Sequence, residues 1–185
     1  AQTTPDLSGD LEWRNIGPSN MAGRVTDIEA VVADPATVIV GAASGGAWLS
    51  HNSGTTWEPI FERYASYSIG CVTIDPNDSA TIWVGTGEAV GGRHVGYGDG
   101  VYRSRNGGKS FDNLGLKDTE HIAKILVDPR DSDVVYVAAQ GPLWSPGGQR
   151  GLYKTTDAGA TWKQILAKGP YTGVTDIAFD PRDPD

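Results

Sequence analysis

A single cysteine, Cys71, excludes any internal disulfide from this 185-residue chain. It falls in the alternating stretch 69–74, Ile-Gly-Cys-Val-Thr-Ile, where a small buried hydrophobe is expected rather than a nucleophile. Positive charge is also short: 15 Lys and Arg against 23 Asp and Glu give a formal net charge of −8. That balance argues against nucleic-acid phosphate and against an anionic membrane surface as the main partner. Long apolar runs are missing as well. The most apolar segment, 38–49, is short and broken by glycines, so no candidate membrane-spanning helix is expected.

What is plentiful points to a β-rich chain. Twenty-five Gly and 11 Pro without a collagen-like period, with 38% hydrophobic and 9% aromatic residues, describe many short strands joined by tight turns. One octapeptide pattern occurs three times, at 50–57, 104–111 and 155–162. Each copy has a hydroxyl residue (Ser50, Ser104, Thr155), then Asn or Asp two places on (Asn52, Asn106, Asp157). Next comes Gly (Gly54, Gly108, Gly159), another hydroxyl residue, and a large aromatic (Trp57, Phe111, Trp162). The starts lie 54 and 51 residues apart, the spacing of a supersecondary unit repeated in an array. Asn or Asp folding its oxygen back onto backbone amides, followed by Gly at positive φ, predicts a hairpin turn. The octapeptides are read as turn-builders rather than as catalytic or metal-binding groups.

These octapeptides resemble the Asp-boxes, or BNR repeats, of sialidases, xyloglucanase-like hydrolases, sortilin-type receptor domains and photosystem-assembly-factor-like propellers. The words at 13–18 (Trp-Arg-Asn-Ile-Gly-Pro), 23–25, 43–48, 85–88 and 98–102 are similar to a bacterial branch of sortilin-like or glycosyl-hydrolase-like BNR proteins. The resemblance covers nearly the whole chain from Trp13. It implies an all-β fold, a β-propeller of four-stranded antiparallel blades. It also implies an exported bacterial protein, periplasmic or extracellular, and the opening Ala-Gln-Thr-Thr-Pro fits a mature end left by signal-peptide cleavage.

Strand-length apolar runs divide the chain accordingly. Residues 1–23 read as an extended lead-in, tied down by Trp13 and Ile16; blades are expected over 24–61, 69–115 and 122–166, with the start of a further blade at 174–185. In the first blade strands are expected at 25–32, 37–43, 46–50 and 56–61, with a turn at 33–36, Ala-Asp-Pro-Ala. Matching Asp-Pro turns recur at 75–78, 128–131 and 180–183. Propellers close with about four to eight blades. Only about three and a half blades are present, so an incomplete ring is expected: a piece of a longer protein, or edges covered by another chain.

Chemistry is expected on the face of the disc opposite the Asp-boxes, where loops 87–99 and 140–150 are lengthened beyond what a turn needs. Glu88, Arg93, His94, Tyr97, Trp144 and Arg150 are the candidate binding residues there, with Trp144 as the anchor. Arg24, Asp27, His121, Lys124 and Asp176 are expected at the mouth of the central channel. Asp27 and Asp176 hold matching places and are the low-ranked catalytic pair for work on a glycosidic bond. Asp128, Asp131 and Asp133 invite a calcium reading that the Asp-Pro turn explains better. The sequon at Asn77 matters only in a eukaryotic source.

Sialidases present three arginines and a tyrosine paired with an acidic residue, and no motif here supplies such a set. In xyloglucanase-like hydrolases a catalytic Asp precedes a Gly-Gly at the end of the second strand, where this chain has Ala43. The expectation is therefore a non-catalytic protein-binding or scaffold subunit, within a membrane-associated complex, whose partner is another protein. A glycoside hydrolase or glycan-binding protein is the alternative. No cofactor, metal or nucleic acid is expected.

Overall fold

The computed structural model describes residues 23–92, 94–180 and 182; the expected lead-in, with Trp13 and Ile16, lies almost wholly outside them. Apart from one 3₁₀ turn at Lys117–Thr119, every regular element among the described residues is a strand. β1 (Val25–Val31), β2 (Asp34–Ala42), β3 (Gly46–Ser50) and β4 (Glu58–Pro59) form the first sheet. β5 (Ile69–Asp75), β6 (Asp78–Thr86), β7 (Val101–Ser104) and β8 (Asp112–Asn113) form the second. β9 (Ile122–Asp128), β10 (Asp131–Ala139), β11 (Gly151–Thr155) and β12 (Lys163–Leu166) form the third. Each sheet is an antiparallel meander whose spatial order follows the chain, which is the four-stranded blade of a propeller.

The register lines the blades up. Val40 pairs with Trp48, Val84 with Tyr102 and Val137 with Tyr153, so these three aromatics occupy one structural position. Inner strands β1, β5 and β9 stand side by side, and the core lies between blades rather than within them. Ile39, Leu49 and Phe61 of the first blade bury against Ile69, Val72, Tyr102 and Phe111 of the second. Trp83 and Val101 of the second meet Ile122, Ile125, Val137 and Tyr153 of the third. Cys71 is buried in this second cluster, and burial pushes its thiol well up. Phe61 anchors the first seam: it stacks on Tyr64 at 4.6 Å and meets Tyr102 and Phe111 edge-on at 5.0 and 5.2 Å.

All three octapeptides fold alike. The first hydroxyl accepts from the amide of the glycine, at 2.9 Å for Ser50 and Ser104 and 3.0 Å for Thr155. It also donates to the side-chain oxygen of Asn52, Asn106 or Asp157. That oxygen in turn accepts from the amide of Thr56, Ser110 or Thr161 at 2.8–3.0 Å. The glycines sit at φ of 81, 84 and 87°, as expected, and the residue before each is left-handed too, including non-glycine Ser53 and Ala158. Because Asp157 only accepts, its carboxyl is held down at about 2, chiefly by the Thr155 and Thr161 hydroxyls.

The first turn departs from expectation. It lies at 32–33, and Val31 pairs with Asp34 just as Asp75 pairs with Asp78 and Asp128 with Asp131. Asp34 is thus the counterpart of Asp78, not of Asp75: both carboxylates accept from the amide two residues on and from the hydroxyl three residues on. Pro35 falls in the register shift between the Val31 and Ala30 pairs, where its missing N–H breaks no ladder bond. The stretch 174–179, expected as a strand, runs without ladder pairing, since among the described residues no strand lies on its outer side.

Candidate functional site at the channel mouth

The connections sort onto two faces. On one, the boxes meet the first turns: amides of Ser53, Gly107 and Ala158 donate to carbonyls of Ala36, Ala80 and Asp133 at 2.9–3.0 Å. On the other, the residue ahead of each inner strand meets the end of the second strand. Carbonyls of Arg24, Ser68 and His121 accept from amides of Ala43, Gly87 and Gln140 at 2.9, 2.7 and 3.0 Å. Arg24, Ser68 and His121 are therefore one repeated position, turned to three chemistries.

Arg24 reaches across 64 residues to Glu88, with Nε donating to Oε1 at 2.7 Å and Nη2 to Oε2 at 2.6 Å. The fork is lopsided: the Arg24 side chain is 61% exposed and that of Glu88 only 3%. The Ser68 hydroxyl fixes Glu88 from below by accepting its amide at 3.0 Å. Together with Val90, Ala123 and Thr175, the pair lines a cavity of about 290 Å³. Deeper in the channel, Asp27 Oδ2 accepts from the Val72 amide at 3.2 Å and lies 3.7 Å from the Lys124 ammonium. Asp176 is exposed, and its Oδ1 accepts its neighbour Ile177's amide at 2.9 Å as Asp27 accepts that of Ile28 at 3.0 Å. Glu29, further along β1, is pushed up to about 7 by burial, and lines a second cavity of about 490 Å³ with Ile74 and Asp75.

Loop 87–99 closes over this mouth. Gly87, at φ 84°, admits no other residue, since a Cβ there would lie 1.8 Å from the Glu120 carbonyl oxygen. The Gly98 amide donates to that same carbonyl at 2.7 Å. Tyr97 is 59% exposed, and its ring centroid lies 5.6 Å from that of His121. At the end of the loop Asp99 accepts from the Tyr102 hydroxyl at 2.5 Å, and burial first, then this bond, pushes Tyr102 up to about 12. His94 is exposed, and Arg93 lies outside the described residues. In loop 140–150, Arg150 is buried, its guanidinium donating to the carbonyls of Pro142, Ser145 and Gly147. Trp144, by contrast, is 71% exposed. Tyr67 and Tyr171 add further exposed aromatic surface on the segments entering the second blade and following β12.

Ala43, where the resemblance would place a catalytic Asp, is fully buried. Asp128 is gripped by Arg130 and held near 2, first by that hydrogen bond; Asp131 accepts the Asp133 amide. Asn77 donates to the Asp128 carbonyl and the Ser132 hydroxyl. No cluster of three metal-ligating side chains occurs among the described residues.

A family model described as sortilin, neurotensin receptor 3 (Sortilin-Vps10) matches residues 99–185. Among solved structures, the GH74 xyloglucanase from Xanthomonas campestris is similar at 19% identity and a TM-score of 0.65 over 88% of this chain. These are the blades of a BNR-type β-propeller. YCF48 from Cyanidioschyzon merolae matches this propeller chain at 17% identity and a TM-score of 0.51 over 80% of its length. YCF48 bound to D1 peptide matches at 14% and 0.55 over 81%. The chain spans 26, 38 and 43% of those three structures. No curated protein matches it.

Of the residues expected at the mouth, Asp27 lies 3.7 Å from Lys124 and Arg24 pairs with Glu88, whose charge reaches His121, while Asp176 is exposed; sequence reasoning also named Glu88 but as a loop residue. It missed Ser68 and Glu29. Ser68 was detectable by aligning the residue ahead of each inner strand; Glu29 stands alone in its column, opposite Thr73 and Leu126, and had no repeat to announce it.

Proposed function

We propose that the propeller is a non-catalytic protein-binding or scaffold module, acting in the periplasm or outside the cell within a membrane-associated complex. The observation that carries this reading is a contrast on one face. The enclosed carboxylates at the mouth are engaged, Glu88 by Arg24 and Asp27 by a backbone amide and Lys124, while Trp144 and Tyr97 stay open to solvent. A general acid or nucleophile needs a carboxylate available to substrate; interface anchors are exposed aromatics on well-supported loops. One of the similar structures is of YCF48 bound to D1 peptide, a propeller with a protein ligand.

The glycoside hydrolase reading stands on the likeness to GH74 enzymes and on exposed Asp176. Trp144→Ala is expected to weaken capture of the native partner from solubilised membranes, while Lys109→Ala on the box face leaves it unchanged. Turnover of xyloglucan or a sialoside by the chain, lost in Asp27→Asn or Asp176→Asn, would overturn the proposal.

A further inference from the structure

His121 is the most enclosed titratable group at the mouth: its residue exposure is zero and neither ring nitrogen makes a well-formed hydrogen bond, although the Glu88 backbone lies within electrostatic reach of the ring. A buried imidazole normally has at least one nitrogen paired, because each unpaired polar atom costs about 1–3 kcal/mol. The enclosure comes from loop 87–99. Tyr97 lies against the ring, and the loop is pinned to the chain beside His121 by Gly98 N–H donating to the Glu120 carbonyl. Gly87 N–H donates to the Ser68 carbonyl, and Ser66 Oγ to the Tyr97 carbonyl at 2.8 Å. Gln140, whose amide is bonded to the His121 carbonyl, likewise has its side-chain oxygen buried and unpartnered. The polar atoms of this seam are closed over without being satisfied.

We propose that His121 is a proton-operated release for loop 87–99, so that mild acid opens the channel mouth and frees Arg24. Each packed element contributes to the balance. The loop brings Glu88 and the phenol of Tyr97; the entry to the first blade brings Arg24; the entry to the second brings only Ser68; β9 itself carries Lys124 paired with Asp27. Glu88 is the one anion beside the ring, and its charge and backbone favour the imidazolium less than burial disfavours it, so His121 sits below its usual 6.5. Neutral His121 is therefore compatible with the closed loop, and charged His121 is not. An imidazolium there must reach water or take Glu88 from Arg24, and both require the loop to lift. The sign follows: folded-state pKa below unfolded means closed-state stability is complete above about 6.5 and lost as pH falls through the lowered value.

The inference concerns the loop and holds whether this face takes a protein or a glycan. Amide exchange followed by NMR on the chain, corrected for intrinsic rates, tests it between about pH 7.5 and about pH 5. Protection of the Gly87 and Gly98 amides should fall by about ten-fold or more on acidification, while the Gly107 amide on the opposite face keeps its protection. His121→Phe should abolish the response and His94→Asn should keep it. Should His121→Phe not fold, the wild-type chain decides alone, since the imidazole titration and the loss of Gly98 protection must share a midpoint. Loop opening that persists in His121→Phe, or an imidazole that titrates while Gly98 stays protected, would overturn it.

Discussion

The outer flank of the first blade and that of the second carry the same pattern and meet different surroundings. Val25, Ile28 and Trp57 correspond by register to Ile69, Val72 and Phe111, and to Ile122, Ile125 and Trp162 in the third blade. Val25 and Ile28 are each 62% exposed, whereas Ile69, Val72, Ile122 and Ile125 are fully buried. A strand's apolar face thus belongs to the seam with the blade before it, and among the described residues nothing stands before the first. The blade is a local object, but its core is shared.

Breaking a seam on both sides of this comparison gives the largest expected effect. Ile125→Ala should cost about 2–5 kcal/mol in urea unfolding, and Ile28→Ala less than about 0.5. Equal losses would mean that the first flank is covered in solution. The first hydroxyl of each box should ignore the difference, because its bonds stay within the box. Ser50→Ala and Ser104→Ala, each removing a buried hydroxyl with bonds on both sides, should cost a similar amount of about 1–3 kcal/mol.

Two pH effects sharpen the comparison further. Glu29 is raised from 4.5 to about 7, so the native chain holds the proton more tightly than the unfolded one, and stability declines as pH rises from 4.5 through about 7. Glu29→Gln should then raise stability at alkaline pH by about 1 kcal/mol, allowing for solvent screening, and change little in acid. Thr73 and Leu126, in the same column, confer no such dependence. Smallest is the third box. Asp157 is depressed, so its contribution is lost as pH falls from 3.8 toward about 2, and Asp157→Asn should flatten the thermal-unfolding midpoint over that acid range.

How much was legible in the sequence follows from the range of each interaction. The octapeptides could be read outright because the bonds that shape their turns, made by the first hydroxyl and the Asn or Asp side chain, span four residues or fewer. Strand alternation exposed the blades, yet the first turn was misplaced: Asp34-Pro35 looks like Asp75-Pro76, and only pairing reveals that Asp34 matches Asp78. The Arg24–Glu88 fork joins residues with no shared motif, so the sequence placed Arg24 at the channel mouth and Glu88 in loop 87–99 without coupling them. Arg150 looked like a contact residue because arginine in a loop ordinarily faces water. Its three carbonyl acceptors arise from the curl of 142–147, which no local pattern announces.

Bonds cross the seams in both directions: Thr73 Oγ1 donates forward to the Ile125 carbonyl at 2.9 Å and Asn77 Nδ2 to the Asp128 carbonyl at 3.2 Å. Phe111 N–H donates back to the Tyr64 hydroxyl at 2.6 Å, and Trp162 Nε1–H donates back to the Leu114 carbonyl at 2.8 Å. The chain is thus latched from both blades at each seam. Pulled by its ends in an optical trap, it should give way in discrete blade-sized steps rather than in one rip, the nearest-neighbour signature of a stacked array. A chain emerging from synthesis can close each seam only once its later blade has emerged.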